Sequence, residues 1–254
     1  MKFLGRLLSL LVTLVIAILP LAYADETIDY TKAIVDYPIP EHIIASSMDE
    51  FYGIWKLKYL SVYGLALDYE LASGYTDYLI IHPQLAVFMT SGNFGVMTYN
   101  GLEDGALICT DGSENLQVFL NSDGTVSPNL SGTYIYCEKV SPDFEEVSFK
   151  ALLRNPENYI GHFAHFTGTV VNVAGSRISS VSDSSSIYRI NLAVDGDINN
   201  ILFLQFSNVP DYNLLEGDNI TVSVFLVGEH SYTNSYGGQS TTPIGFAFEC
   251  TLNE

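Results

Sequence analysis

The segment Ala106-Leu-Ile-Cys-Thr-Asp-Gly-Ser-Glu-Asn-Leu-Gln-Val-Phe-Leu-Asn-Ser-Asp-Gly124 decides the fold class of this chain. It contains two apolar runs, 106–110 and 116–120, and an Asp-Gly pair follows each of them. Aspartate and glycine tolerate the backbone conformations of tight turns, so apolar runs punctuated by Asp-Gly predict short antiparallel strands joined by turns.

Similar apolar runs lie on both sides of this segment in the first half of the chain. They cover residues 55–60, 78–81, 85–89, 95–99 and 133–137. Ser47-Met-Asp-Glu50 has the spacing of a capping box and predicts a short helix ahead of the first run. We therefore predict a meander of about six antiparallel strands over 47–140, which curls into a small barrel to hide its edges.

The second half begins at Ser141-Pro142 and has a different pattern. Asp143 can cap a helix that ends at Asn155-Pro156. Strand-like runs then follow at 164–172, 187–194, 201–206, 220–228 and 245–252. The sequence thus predicts an all-β protein with a second barrel over 141–254, which one helix precedes.

The first residues of the chain have the pattern of a secretory signal peptide. Lys2 and Arg6 precede an apolar run over 7–21, and Ala22-Tyr-Ala24 supplies small residues for cleavage after Ala24. A membrane anchor is the alternative, but the run is shorter than the roughly 20 residues that span a bilayer. We predict a signal peptide at 1–24, a lead-in segment at 25–46 and a secreted or cell-envelope protein without stable membrane insertion.

The charge composition excludes two kinds of partner. Ten basic residues oppose 29 acidic ones, for a net charge of −19, and no basic stripe occurs. Nucleic acids and anionic membrane surfaces both need clustered cations, so neither is expected to bind. The acidity is typical of solubility outside the cell, and the alternative is a preference for cationic ligands or Ca²⁺.

Three cysteines could be oxidised in an exported chain. Cys109 and Cys137 lie in strand-like runs of the same half and are the natural disulfide pair, which leaves Cys250 as a buried thiol. Three buried thiols without a bridge are the alternative. No Cys-x-x-Cys pair is present, which excludes a zinc ribbon or a thioredoxin-like site.

Gly53-Ile-Trp55, after a short capped helix and before a series of hairpins, resembles the lipocalin-like domains of bacterial exported proteins. The resemblance covers about residues 47–140. It implies a barrel with Trp55 closing one end, and therefore a mouth where a ligand could contact this residue. Packing in the core is the alternative role of Trp55.

A second resemblance covers about residues 145–252. Arg154-Asn-Pro-Glu157, Phe166-Thr-Gly168-Thr-Val170, Leu215-Glu-Gly-Asp218-Asn-Ile220 and Thr242-Pro-Ile244 stand in this order. They are similar to an extracellular OB-fold domain of exported proteins and lipoproteins of Gram-positive bacteria, usually an accessory module. The first strand departs from that pattern, because it has His162 and His165 where lysines are usual. The resemblance implies no established activity.

Neither candidate metal site has the right pattern. His162 and His165 are three apart, so on a strand they point to opposite faces and cannot share an ion. The segment 195–200 begins like a calcium loop, but Asn200 and Phe206 replace the glycine and glutamate that such a loop requires. No nucleophile elbow, zinc-binding helix or phosphate loop occurs. We predict no catalytic residue, metal or cofactor.

The candidate binding residues are aromatic and polar, and they lie between the last two predicted strands. They are His230, Tyr232, Asn234 and Tyr236. Tyrosine beside asparagine and glycine suits contacts with a sugar or a peptide, and the alternative is a hairpin loop that packs on itself. We predict a non-catalytic binding protein whose partner is an extracellular protein, a glycan or a small ligand. The alternatives are a carrier of a small apolar molecule in the first barrel and a hydrolase of an extracellular polymer.

Overall fold

The computed structural model describes residues 33–62, 64–74, 76–83, 85–90, 93–174, 188–206, 210–233 and 238–253. The predicted signal peptide and residues 25–32 of the lead-in lie outside these ranges. The chain divides into unit 1, which ends at Ser141 and excludes 82–84, and unit 2, which comprises 82–84 and the residues from Pro142 onward. The predicted fold class is confirmed: the protein is all-β, with closed barrels of eight and five strands.

Unit 1 contains eleven strands and two short helical segments among the described residues. A 3-10 helix covers Met48–Phe51, and helix α1 covers Tyr69–Ser73. The strands are β1 Ile34–Val35, β2 His42–Ile43, β3 Gly53–Val62, β4 Leu65–Asp68, β5 Tyr78–Ile81, β6 Ala86–Thr90, β7 Asn93–Glu103, β8 Ala106–Thr110, β9 Asn115–Asn121, β10 Val126–Leu130 and β11 Thr133–Val140.

The barrel of unit 1 is an antiparallel meander that closes on its first strand. Its neighbours run β3-β11-β10-β9-β8-β7-β6-β5, and β5 returns to β3. The prediction of about six strands was too low: seven of the eight barrel strands follow the apolar runs of the sequence, and the eighth is β10. This strand contains Pro128, and proline lacks the N–H that a ladder uses, so its sequence did not indicate a strand.

Apolar side chains fill the interior of this barrel. The cluster includes Trp55, Leu57, Phe88, Cys109 and Cys137, and its buried members are at most 8% exposed. Alternation along the strands places these residues on the inner face.

The lead-in segment crosses the outer surface of the same barrel. β1 pairs with β4, and β2 pairs with β9, so residues 33–45 form a strap over the strands between them. Two rings anchor this strap. The ring of Tyr37 stacks on Tyr59 with centroids 4.1 Å apart, and His42 stacks on Phe119 at 4.3 Å.

The stability of the protein is expected to depend on pH through His42, one of the two rings that anchor the strap. Its burial lowers the pKa of the imidazole below the ordinary value of 6.5. The folded state prefers the neutral ring. The contribution of His42 to stability is therefore fully present above the pKa that this residue has in the unfolded chain, and it declines as the pH falls through that value. We expect the free energy of unfolding to fall from about pH 7.5 to about pH 5, and to fall less in His42→Phe, which keeps the stack without the charge. An NMR titration in which His42 gains its proton at or above its ordinary pKa would contradict this.

Unit 2 contains six strands and two short helical segments among the described residues. The helical segments are α2 Phe149–Arg154 and a 3-10 turn Pro156–Tyr159. The strands are β12 Phe144–Glu145, β13 Phe163–Ala174, β14 Arg189–Val194, β15 Ile201–Phe206, β16 Asn219–Thr233 and β17 Gln239–Leu252. The predicted helix ends as expected before Pro156 but begins later than Asp143, because β12 pairs with β13 instead.

The barrel of unit 2 closes in the order β13-β14-β15-β17-β16-β13. β15 and β17 are parallel, and the other pairs of barrel strands are antiparallel. Gly168 lies where β13 pairs with both neighbours, opposite Val194 on one side and Ile220 on the other. A Cβ atom at this glycine would lie 2.3 Å from the carbonyl oxygen of Ala193, so only glycine permits this close approach.

Candidate functional site

Three aromatic rings form a row on the outer face of unit 2. The rings of Phe203 and His230 have centroids 4.2 Å apart and planes 10° apart. Tyr232 continues the row, 6.4 Å from His230 and at 9° to it. Its side chain is 41% exposed. We call Phe203, His230 and Tyr232 the aromatic row.

Strand register brings these three residues together. Phe203 lies between the core residues Leu202 and Leu204, so it points away from the interior. Phe203 is opposite Ile244 on β17, and Ile244 is opposite Gly228 on β16. His230 and Tyr232 follow Gly228 at intervals of two residues, so they lie on the same outer face as Phe203.

The structure corrects the predicted position of His230 and Tyr232. They were predicted in a loop, but β16 extends to Thr233 and pairs with β17 up to Gln239. The alternation of polar residues at the end of this hairpin did not indicate where the strand ends. The other two candidates, Asn234 and Tyr236, lie outside the described residues.

Phe203 was missed by sequence reasoning. It lies inside an apolar run that predicted a strand, and nothing local marks it as part of a surface site. The available signal was strand alternation, which places every second residue of 201–206 on the outer face.

Arg189 on β14 adds a cation to this face. It is opposite Gln205, and Asn191 on the same strand is opposite Phe203. The core residue Ile190 lies between Arg189 and Asn191, so both point outward. The buried Nε atom of Arg189 has no hydrogen-bond partner among the described residues. The outer face of unit 2 therefore combines aromatic rings with an unused donor.

The remaining candidate in unit 1, Trp55, is a core residue. Its side chain is 2% exposed, and its indole Nε1 donates a hydrogen bond to the carbonyl of Phe51 at 2.8 Å. The first barrel thus holds this tryptophan at the junction of the 3-10 helix and β3.

The histidines considered as metal ligands have separate partners. Nδ1 of His162 lies 2.9 Å from a carboxylate oxygen of Glu145. Nδ1 of His165 lies 3.2 Å from the hydroxyl of Ser223, which donates to Glu249. Within the ranges that the structure describes, no group of three or more His, Cys, Asp or Glu residues could hold a metal ion.

The calcium-like segment is a turn between β14 and β15. The Oδ1 atom of Asp197 accepts hydrogen bonds from the backbone and side-chain amides of Asn199, each at 2.9 Å. These local bonds lower the pKa of Asp197 and are those of an ordinary polar turn.

The three cysteines are free thiols in the structure. Cys109 lies on β8 and Cys137 on β11, and two strands separate them in the sheet. Both are buried, and burial raises the pKa of each thiol, which makes them unreactive. The predicted disulfide is therefore not formed in the structure, and it stays a prediction for the exported protein.

Neither the helices nor the comparisons with known proteins indicate a function. No helix in the described ranges is long and apolar enough to cross a membrane. The chain matches no model of a known protein family, and no curated protein matches it either. Its function is therefore inferred from the residues of the two units.

Proposed function

We propose that this protein is an exported, non-catalytic binding protein whose second unit is an OB-fold module. Its ligand binds at the aromatic row. The observation that carries the proposal is the near-parallel arrangement of Phe203, His230 and Tyr232 on an outer barrel face.

The strand order of unit 2 supports the OB-fold assignment. Such a fold is a five-stranded Greek-key barrel that binds oligonucleotides and oligosaccharides through the face of its second and third strands and the adjoining loops. The second and third barrel strands of unit 2 are β14 and β15. Phe203 and Arg189 lie on the outer face of these two strands, at the position where this class of fold binds.

The net charge of the protein favours an oligosaccharide over an oligonucleotide as the ligand. A net charge of −19 opposes a polyanionic oligonucleotide, whose binding depends on displacing counterions with cations. An oligosaccharide needs no such cations, and its apolar ring faces stack on aromatic side chains while its hydroxyls bond to polar neighbours. The proposed ligand is therefore a glycan outside the cell.

For unit 1 we propose a lipocalin-like barrel, and for the whole chain an origin among the exported proteins of Gram-positive bacteria. The eight-stranded meander and the position of Gly53-Ile-Trp55 after a 3-10 helix support this assignment. Apolar side chains such as Trp55, Leu57 and Phe88 pack inside this barrel, so the proposal does not place an apolar ligand there. The proposed role of this barrel is to support or extend the glycan binding of unit 2.

The test is binding of a panel of neutral oligosaccharides by the full chain and by Tyr232→Ala. We expect one oligosaccharide to bind, and the variant to lose about tenfold or more in affinity, since an exposed aromatic anchor contributes at least about 1.4 kcal/mol. Tyr212→Ala, at a tyrosine of unit 2 that is 36% exposed and outside the row, is the control and should bind normally. If no oligosaccharide binds, or if Tyr232→Ala binds unchanged, the row is not the glycan site.

A further inference from the structure

Arg189 lies at one end of the aromatic row. On β14 it is opposite Gln205, and Phe203 is the next outward-facing residue before Gln205 on β15. Diagonal neighbours of this kind are about 7–8 Å apart, a separation that long side chains can bridge. One saccharide unit that stacks on Phe203 can therefore also contact Arg189.

Tyr232 lies at the opposite end of the row. It pairs with Ser240 on β17, which comes before Ile244, the neighbour of Phe203 in the parallel pair β15 and β17. The partner of Arg189 comes instead after Phe203 on β15. The arginine and the tyrosine thus lie in opposite directions from Phe203, and a linear glycan along the row has one defined unit beside the cation.

The guanidinium group of Arg189 has no partner among the described residues. None of the ion pairs found there includes it, and its buried Nε atom donates no hydrogen bond. Nε is the one nitrogen of this group that is both buried and unpartnered, so the two terminal Nη atoms are those that a ligand can reach. A half-buried cation without an acceptor is costly. A ligand that supplies an acceptor offsets this cost.

The strands that present Arg189 and Phe203 contain no acidic residue. The chain has 29 aspartates and glutamates, yet Arg189–Val194 and Ile201–Phe206 include none of them. The net charge of −19 opposes a ligand with a charge on every unit. The outer face of β14 and β15 lacks the carboxylates that would repel an anion locally, so it suits a ligand with a single negative charge.

We propose that the glycan carries one carboxylate, as a sugar acid does, and that the Nη atoms of Arg189 bind it; this inference rests on the proposed function. The acidic unit lies over Phe203, and neutral units extend along the row towards Tyr232. Planar guanidinium and carboxylate groups match each other through two parallel hydrogen bonds. The amide of Asn191, opposite Phe203 on the same outer face, is placed to bond to hydroxyls of the acidic unit.

The test compares D-glucuronate with D-glucuronamide, which has the same ring without the charge, in NMR titrations of the full chain. We expect D-glucuronate to shift the Nε–H resonance of Arg189 and the ring resonances of Phe203. It should bind about tenfold more tightly than the amide, because its hydrogen bonds to the guanidinium are charge-assisted on both sides.

Variants of Arg189 assign this preference to its side chain. Arg189→Gln should bind the two probes equally, and its affinity for D-glucuronamide should not change. Arg189→Lys keeps the charge without the planar fork and should retain part of the preference. Arg154→Gln is the matched control, because this arginine lies at the end of helix α2 and not on β14 or β15, and it should keep the full preference.

Three results would overturn the inference. One is equal affinity of the unaltered chain for the two probes, or no shift with either of them. Another is an unchanged preference in Arg189→Gln, or in Arg189→Lys should the glutamine variant not fold. The third is a shift by D-glucuronate at Tyr232 without one at Phe203. If neutral oligosaccharides bind and depend on Tyr232 while D-glucuronate shows no preference, the carboxylate is wrong and the glycan site stands.

Discussion

Replacing Gly168 with valine is expected to destabilise unit 2 by more than about 4 kcal/mol, a loss reserved for severe core disruption. The new Cβ atom would lie 2.3 Å from the carbonyl oxygen of Ala193, 2.9 Å from its carbonyl carbon and 3.0 Å from the Cα atom of Val194. All three are backbone atoms of β14, so no side-chain rotation relieves the overlap. The strands β13 and β14 must separate, and the barrel depends on their pairing for closure.

Urea unfolding followed by far-UV circular dichroism measures this loss. Gly196→Ala is the control, because that glycine lies in a turn where no atom comes within 4 Å of an added Cβ. Its φ of +74° makes the alanine cost about 1 kcal/mol through backbone strain alone. Equal losses of unfolding free energy in the two variants would show that the close approach of the β14 backbone is not what restricts position 168 to glycine.

Trp55→Ala is expected to lower the free energy of unfolding of unit 1 by about 3–5 kcal/mol, the usual range for truncating a buried aromatic residue. The indole is 2% exposed and lies within the interior cluster of the barrel. The change also removes the donor that satisfies the carbonyl of Phe51. An unsatisfied buried acceptor adds about 1–3 kcal/mol to the cost.

Calorimetry of the full chain tests this expectation, with two companions. Trp55→Phe keeps most of the apolar volume but not the hydrogen bond, so its loss should be intermediate. Leu65→Ala, at a side chain that is 53% exposed, should change stability by no more than about 0.5 kcal/mol. A loss at Trp55→Ala as small as that at Leu65→Ala would mean that the indole does not support the barrel.

Local patterns predicted most of the strands of both barrels. The Asp-Gly turns after 106–110 and 116–120 mark the ends of real strands, and the Ser47 capping box is present around the 3-10 helix. The strands that were not predicted lack these apolar runs and turn signals. β10 contains Pro128, and the two-residue strands β1 and β2 are too short to show any alternation.

The candidate site was predicted less completely, for a physical reason. His230 and Tyr232 stood out in the sequence because they are aromatic residues in a polar stretch between the last two predicted strands. Phe203 joins them only through the register of β15, β17 and β16, which no local sequence specifies. The stacking of Tyr37 on Tyr59 was missed for the same reason, because these two rings meet only where the strap crosses the barrel.

Trp55 also has a consequence for spectroscopy. It is the one tryptophan of the chain, and it lies inside unit 1 with its N–H bonded to Phe51. Indole emission therefore comes from a single, dry environment, and it shifts to longer wavelength only when water reaches that barrel. Unit 2 contains tyrosine and phenylalanine but no tryptophan. Selective excitation thus follows the melting of one barrel in the intact chain, without a label.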